Sequence, residues 1–259
     1  MKKDVYIAIV SHNHQDLIID AFASFPKNIG NYTLHLSIID NINSQKLKTF
    51  SKEEDIVYYA DNKQRGYGAN LNKLFDLLSP KDEDIFIVCN PDIILNPIQL
   101  EKILDKTIEE DADIYGVKVY TRRDFSKVSS SNRSFPCIFD FFSSIVLKKR
   151  PYIHNPEVYA NPDWISGAFM VIKSSSYKKL KGFDERYFLY CEDIDICYRA
   201  KKEKMKIVYN PEFYIIHESQ LASRTIFSKT FLVHLRSIFR YLITHRITCI
   251  LGTGGNYAK

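Results

Sequence analysis

Asp84–Asp92, DIFIVCNPD, carries an unbroken apolar run that stops abruptly at Asn90-Pro91-Asp92. A short β-branched and aromatic run bounded by turn residues reads as a strand buried on both faces, the kind found in parallel sheets. Working outward, similar runs recur at VYIAIVS (Val5–Ser11), LHLSIIDN (Leu34–Asn41), the short DIVYYA (Asp55–Ala60) and YGVKVYT (Tyr115–Thr121). Between them lie segments of helical spacing, DLIIDAFASF (Asp16–Phe25) and RGYGANLNKLFDLLS (Arg65–Ser79). Strands alternating with helices at this length predict an α/β fold with a mostly parallel sheet flanked by helices.

Beyond residue 121 the pattern loosens. KVSSSNRS reads as a polar loop and the aromatic FPCIFDFFSSIVLKK as a helical insertion. DWISGAFMVIK (Asp163–Lys173) reads as a strand with a Ser-Gly break, and IVYNPEFYIIHES (Ile207–Ser219) as two short strands. Residues 225–247 have the spacing of a long amphipathic helix. The simplest division is a catalytic-type domain over 1–219 and a basic helical appendage over 220–259.

Composition sets limits on class. With 45% hydrophobic and 26% charged residues among 259, the chain reads as globular. No apolar run reaches the roughly 18 residues of a membrane-spanning helix. The lysines and apolar run of MKKDVYIAIVSHNH imitate a signal peptide, but the run reads as a buried first strand, and a cytoplasmic location is expected. Five scattered cysteines without a CxxC pair predict free thiols, with neither a zinc site nor a disulfide framework. The net charge of +5 is unevenly placed: six basic and no acidic residues follow Glu218, leaving 30 basic against 31 acidic in residues 1–218.

In an open parallel sheet, ligands bind beyond the carboxyl ends of the strands. That rule gathers Ser11–His14, Asp40–Asn41, Asp61–Asn62 and Asn90–Asp92 at one edge. Asp92 is placed to hold a hard divalent cation on a diphosphate, or to close an ordinary strand-exit turn. Arg65-Gly66-Tyr67-Gly68-Ala69-Asn70 offers a phosphate cradle or simply a glycine-rich helix start. His217, leaving an apolar strand, is a metal ligand or a satisfied structural residue. FLYCEDIDICYRA (Phe188–Ala200) sets Glu192, Asp193 and Asp195 among apolar neighbours. Such carboxylates serve either a base in a pocket or the first turn of a helix.

Seven runs then appear in a fixed order over residues 4–219: VSHNHQDLI, IIDN, RGYGANLN, FIVCNPDIIL, WISGAFMVIK, GFDERYFLYCEDIDICYR and HES. In that order the chain resembles the inverting family-2 glycosyltransferases of GT-A type fold. With its basic FSKTFLVHLRSIFRYL segment it is similar, over nearly its whole length, to bacterial rhamnosyltransferases of O-antigen assembly. The resemblance implies a Rossmann-like nucleotide-sugar domain and assigns roles. Asp40 would contact the nucleotide base; Ser11, Arg65, Gly66, Asn70 and Asn90 would line the nucleotide sugar. Asp92, with His217, would hold Mg2+ or Mn2+. Trp164 and Gly167 would line the acceptor side, and Asp193, or in its place Glu192, would be the catalytic base. One position departs from the family pattern: Asn90 stands where the first acid of the DxD motif is expected, which weakens the metal site.

The implied reaction is transfer of L-rhamnose from dTDP-rhamnose to a lipid-diphosphate-linked saccharide. A UDP-hexose or galactofuranose donor, or a non-catalytic nucleotide-sugar-binding subunit of an assembly, are the alternatives. In the tail, Phe227, Phe231, Leu235, Ile238 and Leu242 share one face and Lys229, Arg236 and Arg240 another. That pattern suits an anionic membrane surface, packing on the domain, or a homodimer contact. No nucleic-acid motif accompanies the charge. The expected location is therefore cytoplasmic, peripheral at the inner face of the cell membrane.

Overall fold

The structure, a computed structural model, describes residues 2–61, 63–129, 131–145, 147, 154–218 and 229–245. The first half runs β1 (Lys3–Ser11), α1 (Gln15–Phe22), β2 (Asn28–Ile29), β3 (Tyr32–Asp40), α2 (Gln45–Glu53), β4 (Val57–Tyr59), α3 (Tyr67–Leu78) and β5 (Ile85–Cys89). It continues through β6 (Ile93–Ile94), α4 (Pro97–Glu109), β7 (Ile114–Tyr120), β8 (Val128–Ser129), β9 (Asn132–Arg133) and α5 (Ile138–Ile145). The last elements are β10 (Trp164–Ile165), β11 (Phe169–Lys173), α6 (Ser174–Lys179), α7 (Glu192–Lys202), β12 (Ile207–His217) and α8 (Lys229–His245).

The main sheet has the order β2-β3-β1-β5-β11-β7-β12-β6, with β4 beside β3 and β8 beside β7. Strands β1, β3, β4, β5, β7 and β12 point one way, while β11 enters antiparallel between β5 and β7. The mostly parallel α/β sheet expected from the sequence is therefore present. The reversal of β11 also brings its leading residue, Phe169, opposite Cys89 at the carboxyl end of β5. Alternation along the strands divides the core. Ile7, Ile9, Ile85 and Ile87 join α1, α2 and α4 on one face, whereas Ala8, Val10, Phe86 and Val88 join α3, α6 and α7 on the other.

Several local expectations are corrected. Residues 207–217 form one strand rather than two, because both halves pair with β7; the register shifts between Asn210 and Tyr214. Pro211, which has no N–H to give the ladder, lies in that shift. The polar loop contains two short strands, β8 on β7 and β9 on β10. Helix α4 has no counterpart in the sequence reading, although Asn96 caps it by accepting from Ile98 and Gln99 N–H at 2.9 and 3.2 Å, with Pro97 in its first turn. Cys89, Cys191 and Cys197 are free and buried, but Cys137 is disulfide-bonded, which sequence spacing does not foretell because pairing depends on distance in the fold.

The amphipathic helix is present as α8; its expected ends at 225–228 and 246–247 lie outside the described residues. It is no free appendage: Ile238 and Tyr241 are buried in the same core cluster as Ile194 and Ile196 of α7. Among the described residues, no helix is long and apolar enough to cross a membrane.

Candidate active site

The carboxyl ends of β1, β3, β5 and β12 and the leading end of β11 form one edge. Ser11 and Asp40 are register partners there, and Asn90 N–H donates to Ala168 C=O at 2.9 Å. His217 sits opposite Ile93, which brings its Nε2 to 3.0 Å from Asp92 Oδ1. The two residues assigned to a metal are thus adjacent, although 125 positions separate them. Burial pushes the Asp92 carboxyl up, but hydrogen bonding to and the charge of His217, then its own amide and His14, outweigh it and hold it below the usual carboxylate range. Among the described residues no third histidine, cysteine or carboxylate completes a cage. One carboxylate and one imidazole suit a cation that takes its remaining ligands from a diphosphate and water.

The second centre is at the start of α7. Tyr190 and Cys191 are both left-handed, with φ of 69° and 66°. This conformation costs a non-glycine residue about 1 kcal/mol or more, and it turns the chain sharply into the helix. Glu192 and Asp193 follow. Asp193 Oδ2 accepts from Gly167 N–H at 2.9 Å and its Oδ1 from Ile194 N–H at 2.9 Å. A Cβ on Gly167 would stand 3.0 Å from the Asp193 Cβ, so a side chain there would press the carboxylate away. Glu192 is 6% exposed, and its Oε2 has no partner.

Both carboxyls are raised, unequally in kind. Glu192 is driven well up by burial and then by the neighbouring charge of Asp193. Burial also raises Asp193, but Gly167 N–H, the Arg133 guanidinium and Ile194 N–H oppose it. The surroundings differ: two backbone N–H groups and the Arg133 guanidinium favour the Asp193 anion, whereas Glu192 Oε2 is buried without a partner. All three carboxylates stand in the first turn of α7, as the helix-start reading expects, and Asp195 there is 1% exposed and held by Arg199 Nε and His245 Nε2, each at 2.8 Å.

Tyr67, which the sequence reading quoted without a role, joins the two centres. Its hydroxyl donates to Asn90 Oδ1 at 2.8 Å and lies 3.2 Å from Gly167 C=O. Burial, with the carboxylates of Asp193 and Asp92 adding to it, keeps that hydroxyl protonated far above its ordinary range. Arg133 was also missed. It sits in a strand of two residues with no sequence signal, its guanidinium 4.7 Å from the Trp164 ring.

Other assigned residues are engaged within the protein. Asp40 accepts from Ser44 N–H at 2.7 Å, Ile42 N–H at 3.3 Å and the Tyr58 hydroxyl at 3.1 Å, organising the loop after β3. Arg65 makes a two-pronged pair with Asp61 at 2.7 and 2.5 Å. That pairing holds Asp61 well below the usual range and engages the arginine expected beside the nucleotide sugar. Gly66 packs against the backbone at Phe188, where a Cβ would approach the carbonyl oxygen to 2.6 Å. Trp164 is 3% exposed and gives its indole N–H to Ser134 C=O at 2.9 Å, a packed position rather than an open wall. Ser11 Oγ and Asn70 Oδ1 are buried without partners at the same edge, and Asn70 Nδ2 reaches Asn41 at 3.1 Å. Orphaned polar atoms of this kind are what a ligand can satisfy.

Residues 6–181 match the family model for glycosyl transferase family 2. The chain belongs to this family. It is 33% identical over 253 residues to the rhamnosyltransferase WbbL of Escherichia coli K12, covering 94% of each chain. It is 28% identical over 171 residues to N-acetylglucosaminyl-diphospho-decaprenol L-rhamnosyltransferase of Mycobacterium tuberculosis H37Rv, covering 59% of this chain and 55% of that protein. Among solved structures it is similar to GalNAc-T7 with UDP, GalNAc and Mn2+, with a TM-score of 0.67 at 11% identity over 93% of this chain. It spans about half of that structure (48%), and the likeness concerns the fold alone. This family-2 member is a glycosyltransferase with a GT-A-like fold.

Proposed function

We propose that this glycosyltransferase moves L-rhamnose from dTDP-rhamnose, with inversion, to a lipid-diphosphate-linked saccharide in surface-polysaccharide (O-antigen) synthesis. The observation that carries the chemistry is the Asp193 carboxylate at the sheet edge, oriented by Gly167 N–H and Ile194 N–H at 2.9 Å each, which favours it over Glu192 as the base. The names of the rhamnosyltransferase relatives support the sugar, and the diphospho-decaprenol in one of them supports the acceptor class.

In the reaction, the acceptor hydroxyl oxygen bonds to the anomeric carbon while the bond from that carbon to the diphosphate oxygen breaks. The hydroxyl proton passes to Asp193, and dTDP departs with the electron pair. Gly167 N–H fixes the carboxylate that receives the proton. Asp92 and His217 would hold Mg2+ or Mn2+, which when bound offsets the charge gathering on the leaving diphosphate. Asn90 in place of an acid makes that pair a weak site until the donor's own oxygens join it.

The test is a transfer assay with the purified chain, a polyprenyl-diphosphate-linked acceptor and a panel of dTDP- and UDP-sugars. Turnover of dTDP-rhamnose is expected. Turnover of a UDP-sugar alone would reassign the donor. Binding of dTDP-rhamnose without transfer to any acceptor would favour a non-catalytic assembly subunit.

A further inference from the structure

Seventeen large apolar side chains are exposed among the described residues, and eight of them lie on two short stretches, α5 with Leu147, and α8. On α5 these include Ile138, Phe139 and Phe142, at 61%, 56% and 53% exposure. On α8 they include Leu232, Phe239 and Ile243, at 62%, 66% and 60%. The exposed positions of α8 recur at helical spacing, while Ile238 and Tyr241 are buried. Phe141 of α5 meets Tyr241 of α8 at 6.0 Å between rings. The two helices therefore pack together through their inner aromatics and leave outer apolar rows uncovered. Soluble chains seldom concentrate apolar exposure in this way without a partner for it.

We infer that α5 and α8 together form a docking face for an anionic lipid bilayer. This goes beyond a membrane role for the C-terminal helix alone, and it rests on the lipid-linked acceptor proposed above. Charge decides the occupant. Arg236 is exposed and Arg240 half-buried within the α8 row, and no acid follows Glu218 in the sequence. The acid within α5, Asp140, is occupied in accepting from Cys137 N–H at 2.8 Å. Apolar rows with basic flanks match acyl chains beneath anionic headgroups. A second copy meeting this face across a twofold axis would set arginine against arginine.

The face is joined to the chemistry. From α8, Ser237 Oγ donates to Leu189 C=O at 2.8 Å, and the His234 ring lies 4.7 Å from that of Tyr190. Leu189 and Tyr190 lead directly into Glu192 and Asp193. A bilayer engaged by this face is thus linked by two contacts to the loop that sets the base, where a lipid-borne acceptor must arrive.

Flotation of the full chain with phosphatidylcholine–phosphatidylglycerol vesicles tests the inference. Phe139→Glu with Phe142→Glu in α5, and separately Leu232→Glu with Phe239→Glu in α8, should each lower the vesicle-bound fraction at least tenfold. Arg236→Gln should weaken binding to these vesicles and leave the low binding to pure phosphatidylcholine unchanged. Because the α5 positions face outward, the variant should retain the wild-type melting temperature and its hydrolysis of the donor in free solution. Wild-type flotation by the folded α5 variant would overturn the two-helix face. So would a dimer, seen by light scattering, that the α5 substitutions dissociate while vesicle binding persists. Flotation by a wild-type chain that turns over no sugar would leave the face standing and defeat the glycosyl-transfer reading instead.

Discussion

Two carboxylate centres share one sheet edge and behave in opposite ways. Asp92 meets an imidazole, and His217 holds it below its ordinary range despite burial. Glu192 and Asp193 meet each other and an apolar shell, and burial raises both. The same functional group thus becomes a permanent anion at one end of the crevice and a proton-handling pair at the other. What differs is the nearest partner: an imidazole in one case, a second carboxyl in the other.

The sharpest way to break this contrast is Asp193→Asn. It keeps the shape but removes the proton acceptor, and kcat should fall about 10^3-fold with donor binding retained. A steady-state assay showing near wild-type turnover would remove Asp193 from the role of base. Next in size is Asp195→Asn, two residues along the same helix. It takes the anion from between Arg199 and His245, leaving Arg199 with its Leu180 and Gly182 carbonyl partners alone. Disrupting a buried pair should cost about 3 kcal/mol, read as a lowered denaturant midpoint.

Glu192→Gln sharpens the raised end of the comparison. A carboxyl raised in the folded state is harder to ionise there than in the unfolded chain. Wild-type stability should therefore decline as pH rises above the unfolded value near 4.3, and the glutamine variant should escape that decline. The stability difference in favour of the variant should widen toward about pH 8; parallel melting curves across this span would contradict the buried-acid description. Asp92 has the reverse sign. Its lowered carboxyl contributes stability above the unfolded value near 3.9 and loses it as pH falls through the folded value. His217→Ala should cost about 1 kcal/mol at neutral pH, converge with wild type as pH falls through the lowered carboxyl value, and raise the Mn2+ half-saturation about tenfold. Asn90→Asp, the smallest change, should tighten Mn2+ by about 1 kcal/mol by restoring a second carboxylate; calorimetric titration with donor present measures both.

The donor side of the site was largely legible in sequence. Asp40, Asn90 and Asp92 end apolar runs, and the carboxyl ends of parallel strands fall at one edge whatever the details of packing. The pairing of Asp92 with His217 was legible only as a resemblance, since β6 and β12 meet through a crossover that no local pattern records. Tyr67 and Arg133 escaped for a different reason. Both act through contacts made across the fold, Tyr67 to Asn90 and Gly167 and Arg133 toward Asp193, and neither occupies a position that periodicity marks. Arg65 was read from its type, but its guanidinium is claimed by Asp61 four residues earlier, a local competition that residue type alone does not weigh.

By itself, the sequence determined the alternation of strands and helices, the edge at which polar residues collect, the family order of motifs and the basic, acid-free tail. Each follows from short-range rules of period, turn chemistry and charge, which act within a few residues of chain. Tertiary structure alone decided which of two adjacent carboxyls is held by backbone N–H groups, that Asp195 braces α8 through His245, and that α5 stands beside α8. Those outcomes depend on burial and on partners tens of residues away, and desolvation is a property of the packed fold rather than of the chain.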